Sequence, residues 1–386
     1  MRIICLGFPH VLTLDPRDPD GQPEQFAELI WNFCAIMAAR GHDVIHVGAA
    51  GSQLPPGVTV VDVPASLERA ACYTDAGKER TPGCAAGYRR RFADEARALL
   101  LDLGGRPYSS VIGRLWDSDG ATANVPQFVC EYGIGYPHAS APYRIYLSHA
   151  WRHFSEGQAN NTAGNHWYWQ VIPLPVDMSL FGPVEASKGD YLLYMGRMAD
   201  DKGVLLAVQL AKAAGIPIRL AGRGDGARFV AEWPEGAQHV GAVTVAQRRE
   251  LLRHARALLC PTRYVEPLGA VALEAQASGC PVICTDWGGF TETVVHADAD
   301  DKHGTGWRCS TFEEFLWAVR NVHKIDPHAC REWIERNHSF EHVGAAYEDY
   351  LQSLLRLGKG GWTESGAAND RTGLPRAFRD YSMFGH

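Results

Sequence analysis

The sequence is short of several things, and each absence excludes a class of protein. No apolar run is long enough to cross a membrane. The first, Ile3 to Phe8, stops at Pro9, far below the ~20 residues of a spanning helix and too brief for the core of a signal peptide. The ten cysteines form no CxxC pair and no Cys/His ligand spacing. Several sit singly in strand-like runs (Cys5, Cys130, Cys260, Cys284), which reads as reduced, mostly buried thiols in a cytoplasmic protein without a structural zinc site. Positive charge is not in excess. A formal net charge of -7 argues against general nucleic-acid binding. A repeat of solenoid period is also missing.

What is present is a chain of 386 residues, 46% hydrophobic and 21% charged, long enough for two domains with sizeable cores. Apolar runs alternate with amphipathic segments along it. Ile3–Gly7 reads as a buried strand, and a Pro/Asp-rich loop, 15–23, follows. A helix is expected over about 24–40, with Phe26, Leu29, Ile30, Phe33, Ile36 and Met37 at helical spacing and Gly41 as its stop. The runs at 44–48, 58–63, 111–112, 127–130, 145–147 and 171–172 read as strands, and 88–101 as a helix.

The pattern then restarts. Strands are expected at 191–195, 218–221, 257–260 and 282–284, and helices at 204–214, 245–255 and 268–278, with Gly215 ending the first of them. Such alternation implies parallel sheets covered on both faces. The fold class is therefore α/β, with two doubly wound Rossmann-like domains facing a central cleft. Residues 1–172 form the first domain and 173–339 the second. One more helix at 339–356 begins a C-terminal segment, about 340–386, expected to pack back on the first. Ligands of doubly wound sheets bind at the carboxyl ends of the strands, so the site belongs in the cleft.

Two constellations carry chemistry. Gly196-Arg197-Met198 follows the strand at 191–195, and Lys202-Gly203 opens the next helix; two cations there suit a pyrophosphate. Glu266-Pro267-Leu268-Gly269 precedes a helix that carries Glu274. Free amides at a helix start bind anions, and carboxylates beside an anion are best placed to accept from neutral hydroxyls, as sugars and ribose offer. The blander reading of each is a solvated Arg and Lys, and a Glu favouring the helix dipole.

Together these motifs, in this order, resemble retaining glycosyltransferase family four of the GT-B fold, with its Gly-Arg…Lys-Gly and Glu-x7-Glu signatures. Val171-Ile172-Pro173…Val176-Asp177…Phe181, Ala221-Gly222-x-Gly224 and Gly304-Thr305-Gly306-Trp307 support the resemblance, which covers roughly 168–345 by motif and the first half by layout. It implies a hexosyltransferase-type enzyme using a nucleotide-diphosphate sugar, UDP favoured over GDP, with no cofactor and no metal. Arg197 and Lys202 would hold the diphosphate and stabilise it on leaving, beside Gly196. The amides of Leu268 and Gly269 would cap the β-phosphate. Glu266 would contact the transferred sugar and Glu274 the ribose. Retention would follow from front-face attack. The acceptor class stays open between a saccharide, a lipid-linked sugar, a small metabolite and a modified nucleobase. A GT-B-fold nucleotide-sugar epimerase or hydrolase and a non-catalytic nucleotide-sugar binding protein are the alternatives.

Elsewhere the pattern departs from the family. The loop after the first strand carries Asp15, Asp18 and Asp20 with a single glycine, which reads as a plain turn that repels phosphate. Glu131, Gly133 and His149 are the candidates on the sugar or acceptor side, with a satisfied structural role as the alternative for Glu131 and His149. Trp151, Trp167, Tyr168 and Trp169 offer either a stacking surface or core packing. Gly222-Arg223-Gly224-Asp225-Gly226-Ala227 matches a dinucleotide fingerprint, but no acidic residue ends a strand about 20 positions on. By the resemblance this turn faces the nucleotide, with Arg223 on the donor side. Arg89-Arg90-Arg91 reads as a solvated helix face or as a contact for an anionic acceptor.

Overall fold

A computed structural model describes residues 1–357 apart from 22–23, 76, 117–118, 160–167, 186–187 and 298–303. Trp167 and most of the C-terminal segment lie outside the described residues, as do two positions of the loop 15–23.

Two all-parallel sheets organise the chain. The first holds β1 (Arg2–Leu6), β2 (Asp43–Gly48), β3 (Val58–Asp62), β4 (Ser110–Arg114), β5 (Phe128–Ile134), β6 (Tyr143–Tyr146) and β7 (Trp169–Val171), in the order β3-β2-β1-β4-β5-β6-β7. The second holds β8 (Leu192–Met195), β9 (Ile218–Ala221), β10 (Ala237–Gly241), β11 (Leu258–Cys260), β12 (Val282–Thr285) and β13 (Gly306–Cys309), in the order β10-β9-β8-β11-β12-β13. Strands covered on both faces need continuous apolar runs, and β4, β5, β11 and β12 are buried along their whole length. The edge strands β3 and β10 are mixed in burial.

The strand order reverses between β1 and β4 in the first sheet and between β8 and β11 in the second. A crevice opens at each reversal, at the carboxyl ends. The loops there are therefore 7–24 and 115–127 on one side, and 196–203 and 261–269 on the other.

The helices begin and end where the side chains dictate. Glu24 caps Gln25–Ala39 by accepting from the amides of Phe26 and Ala27. Thr244 and Gln247 form a capping box on Val245–His254, an arrangement that contributes about 1 kcal/mol. Gly215 ends Val204–Ala214 in the left-handed conformation, φ +70°. The helix expected from 268 starts at Ala270 instead. Gly269 holds φ +88°, and a Cβ there would lie 2.4 Å from the Phe290 ring, so the chain turns into the helix only after this glycine.

The domains are joined twice, and the two crossings are tied to each other. Val176 N–H donates to the His338 carbonyl at 2.7 Å, and His338 Nδ1 lies 3.2 Å from the Leu174 carbonyl. Past that crossing, helix Phe340–Leu357 packs on the first sheet. Val343, Tyr347, Tyr350, Leu351 and Leu354 share a core with Ile3, Phe33 and Tyr132. Phe33 stacks on Tyr132 at 4.3 Å and meets Tyr347 edge-on at 5.1 Å.

Candidate active site

A cavity of about 660 Å³ lies between the two sheets, within the size range of small-molecule sites. The second domain supplies most of its polar wall. Gly196, Arg197 and Lys202 come from the loop after β8, and Glu266, Leu268, Gly269 and Glu274 from the loop and helix after β11. The sequence-predicted residues of both constellations thus line one space. The first domain contributes Phe26, Glu28 and Leu29 from its first helix, with Gly133 and Gly135.

Lys202 sits inside this wall. Gly203 lets it do so: at φ +74° its α-carbon lies so near β11's exit that a Cβ would fall 1.9 Å from the Pro261 carbonyl oxygen. The Lys202 Nζ donates to Glu266 Oε2 at 2.8 Å, with both side chains largely covered. Tyr264 donates its hydroxyl to the same oxygen at 2.7 Å, and the Lys202 ammonium stands 4.7 Å from the Tyr264 ring centre. Burial and the Glu266 carboxylate push the Tyr264 hydroxyl well above its usual range, so it remains a donor. Arg197 is at the rim, two-thirds exposed and 3.7 Å from Asp201.

Helix Ala270–Ala277 opens onto the cavity, which Gly269, Ala270 and Val271 line. Its first amides have no acceptor within the helix, and the aligned peptide dipoles favour an anion there. Thr293 Oγ1 donates to the Leu268 carbonyl at 3.1 Å, fixing the turn from behind. Glu274, one turn further on, is paired with Arg248 at 3.3 Å. The space can therefore take a diphosphate against the helix start and Lys202, with hydroxyl-bearing groups on either side at Glu266 and Glu274.

Residues 180–339 match the family model described as "Glycosyl transferases group 1". That stretch, less than half of the chain, is similar to group 1 glycosyltransferases. The alpha-maltose-1-phosphate synthase of Mycobacterium tuberculosis (strain CDC 1551 / Oshkosh) is 34% identical over 120 residues, 29% of this chain and 31% of that protein. The aligned stretch thus spans about a third of this curated relative. Among solved structures, an Anabaena protein in complex with UDP and glucose superposes with a TM-score of 0.62 at 13% identity, covering 92% of this chain and 100% of that one. The catalytic domain of starch synthase IV from Arabidopsis thaliana, bound to ADP and acarbose, gives 0.66 at 11%, covering 92% and 99%. At those identities the likeness is one of fold, and the fold is GT-B.

Among the remaining candidates, Gly133 and Trp151 line the cavity, and Glu131, His149, Arg223, Tyr168 and Trp169 do not. Glu131 is buried in the first domain. It accepts from Arg114 Nη2 at 2.9 Å, Tyr136 Oη at 2.8 Å and the amides of Ser140 and Ala141, each at 3.0 Å. Its oxygens are satisfied there, so the structural alternative describes it. His149 is the first residue of helix His149–Gln158 and its side chain is exposed. It is the backbone that crosses the cleft at this point: the amides of His149 and Ala150 donate to the Glu292 carboxylate at 2.9 and 2.8 Å. Gly133 lines the cavity, yet its φ of +64° also serves packing, because a Cβ would lie 2.1 Å from Leu29. Arg223 is exposed beyond the cavity lining, and its carbonyl accepts from Met198 N–H at 2.9 Å, bracing the loop after β8. Trp151 and Trp169 are buried in one cluster with Tyr146, and Tyr168 packs on the first core. Arg89 donates to Tyr73 and lies over its ring, and Arg91 pairs with Glu68.

Tyr264, Glu28 and Arg248 of the cavity wall, and Glu292 where the cleft is crossed, are not indicated by the sequence. The loop 15–23 is a further surprise. The amides of Val245 and Ala246 donate to the carbonyls of Gly21 and Pro19 at 3.2 and 3.0 Å, so this first-domain loop caps a helix of the second domain. Among the described residues, no helix is long and apolar enough to cross a membrane, and no group of His, Cys, Asp or Glu is placed to hold a metal.

Proposed function

We propose that the protein transfers a sugar from a nucleoside diphosphate sugar to an acceptor hydroxyl with retention of configuration, UDP being favoured over GDP and the diphosphate being held without a metal. The observation that carries this reading is the Lys202–Glu266 pair at 2.8 Å in the wall onto which helix Ala270–Ala277 opens. Glycosyl transfer builds negative charge on the departing phosphate while the sugar carbon becomes cation-like. Lys202, the amides of Leu268 and Gly269, and Arg197 swinging in from the rim beside Gly196 are the groups that meet that charge. Fixed donors of this kind contribute about 10²–10³-fold each.

Donor binding exchanges partners within the wall. The diphosphate takes the Lys202 ammonium, and Glu266, still held by Tyr264, becomes free to accept from a sugar hydroxyl. Glu274 accepts from the ribose hydroxyls. The acceptor oxygen then attacks from the face the phosphate is leaving, and its proton passes to a phosphate oxygen as the bond between anomeric carbon and phosphate oxygen breaks. The acceptor enters along the first-domain wall of Phe26 and Gly133, where a saccharide, lipid-linked sugar, small metabolite or modified nucleobase fits the open class. UDP in the Anabaena structure favours that base, while ADP in the Arabidopsis one makes ADP a necessary control.

A thermal-shift panel of UDP, GDP, ADP and their sugars tests the reading. A ligand at 100 times its Kd stabilises by about 2.7 kcal/mol; the account expects one nucleotide series to do so, and no shift with any of them overturns it. Donor turnover at full rate without an acceptor would instead favour a hydrolase or epimerase.

A further inference from the structure

Arg248 belongs to neither motif, yet it lines the cavity beside Glu274. It lies one turn into helix Val245–His254, whose first amides are capped by the first-domain loop through Gly21 and Pro19. Its Nη1 is 3.3 Å from Glu274 Oε1, with 28% of the arginine and 19% of the glutamate side chain exposed. The contact is made through one oxygen. Glu28, on the first helix of the opposite domain, lines the same cavity, and its charge acts on both Arg248 and Glu274. One cation thus pairs with a carboxylate of its own domain and feels the charge of one from the facing domain.

We propose that Arg248 is a positioning residue of the donor site: it holds the Glu274 carboxylate in register for the ribose hydroxyls. The inference rests on the reading of Glu274 as the ribose acceptor. Its physical basis is charge. Without Arg248, the Glu274 and Glu28 carboxylates would lose a cation that offsets their mutual repulsion. Glu274 would turn away from the ligand, or the first helix would draw back. Glu24 adds a further negative charge to the same side and Arg249 a positive one, and Arg249 stands 6.0 Å from the centre of the Phe181 ring. Arg248 is distinguished from Arg249 by its direct pairing with Glu274.

The test is a cycle of ligand and protein changes on the full chain. Affinities of UDP, ADP and GDP identify the tightest ribonucleotide, and that nucleotide is compared with its 2′,3′-dideoxy analogue on wild type, Arg248→Ala, Arg248→Lys and Glu28→Gln. Wild type is expected to prefer the ribonucleotide by ~10-fold or more, the scale of a charge-assisted hydrogen bond. Arg248→Ala should erase most of that preference while binding the dideoxy analogue almost as wild type does. Arg248→Lys should restore part of it, and Glu28→Gln should leave it largely intact. If Arg248→Ala keeps the full preference, or weakens both ligands equally, the inference is overturned. A wild type indifferent to the ribose hydroxyls would overturn the reading of Glu274 itself, and the inference with it. Melting curves of each variant without ligand separate misfolding from the effect, and Arg248→Lys still decides the case if the alanine variant does not fold.

Discussion

The two sheets share one topology but treat their charges in opposite ways. At the reversal of the first sheet, the ionised side chains are turned inward on each other: Glu131 and Arg114 are both buried and share their bonds with Tyr136 and local amides. At the reversal of the second sheet, Lys202, Glu266 and Glu274 stay at the cavity wall and are only partly covered. A buried ion pair resists exchange because desolvated charges have no other partner. A pair at a cavity wall, largely covered but still reached by solvent, can trade its partner for a ligand. The lesson is that position in a doubly wound fold identifies where a site can be, and solvent access to the charges identifies which of two equivalent crevices does the polar work.

This contrast can be broken by parallel substitutions. The largest effect is expected at Lys202: Lys202→Ala should lower donor turnover by at least ~10²-fold with little change in melting temperature. Glu131→Ala should do the reverse. Removing one partner of a buried pair costs about 3–5 kcal/mol, seen in denaturant unfolding, while the folded fraction keeps its turnover. A catalytic defect at Glu131 without a stability loss would erase the distinction. Glu274→Ala comes next, with turnover again expected to fall ~10²-fold.

Stability of the first domain sharpens the comparison from another side. Tyr347, from the helix that returns after the second crossing, is fully buried against Phe33 and Tyr132. Tyr347→Ala should therefore destabilise by about 3–5 kcal/mol, as large aromatic truncations in a core do. An unchanged unfolding midpoint would mean that the helix does not belong to that core.

A smaller effect is expected from pH. Burial pushes the Glu28 carboxyl up to about 7, with Glu274 and Glu24 adding to the rise and Arg248 and Arg249 opposing it. The folded value lies above the unfolded one, so ionising Glu28 costs stability, and that loss accumulates as pH rises from about 4.5 to about 7. An anionic nucleotide should accordingly bind more weakly at pH 8 than at pH 6, and Glu28→Gln should flatten that slope. The smallest effect is His149→Ala. Its imidazole is exposed and only its amide bonds across the cleft, so turnover should change by no more than about twofold.

Much of this architecture was legible because fully buried strands leave unbroken apolar runs. The strand at 191–195, the helix at 204–214 and the strand at 218–221 were read within a residue of their observed ends. The edge strands of the second sheet were not. β10 carries Gln238 and His239 in a half-exposed run, and β13 is a four-residue edge, so neither has a period to read. Helix His149–Gln158 buries only Trp151 and left no apolar stripe. At the site, Lys202, Glu266 and Glu274 were legible because each lies beside a strand end or helix start that local sequence reveals. Glu28, Arg248 and Glu292 were not, because their roles arise where one domain meets the other. The turns in the loop 15–23 were legible in its aspartates, but the docking of its carbonyls on the other domain was not.

The account stands most directly on where a nucleoside diphosphate lies. A crystal structure with the tightest-binding nucleotide of the thermal-shift panel should place its β-phosphate oxygens within hydrogen-bond reach of Lys202 Nζ and the amides of Leu268 and Gly269, with the ribose hydroxyls on Glu274. A diphosphate bound elsewhere, with Lys202 still held on Glu266 and the start of helix Ala270–Ala277 facing only water, would contradict it.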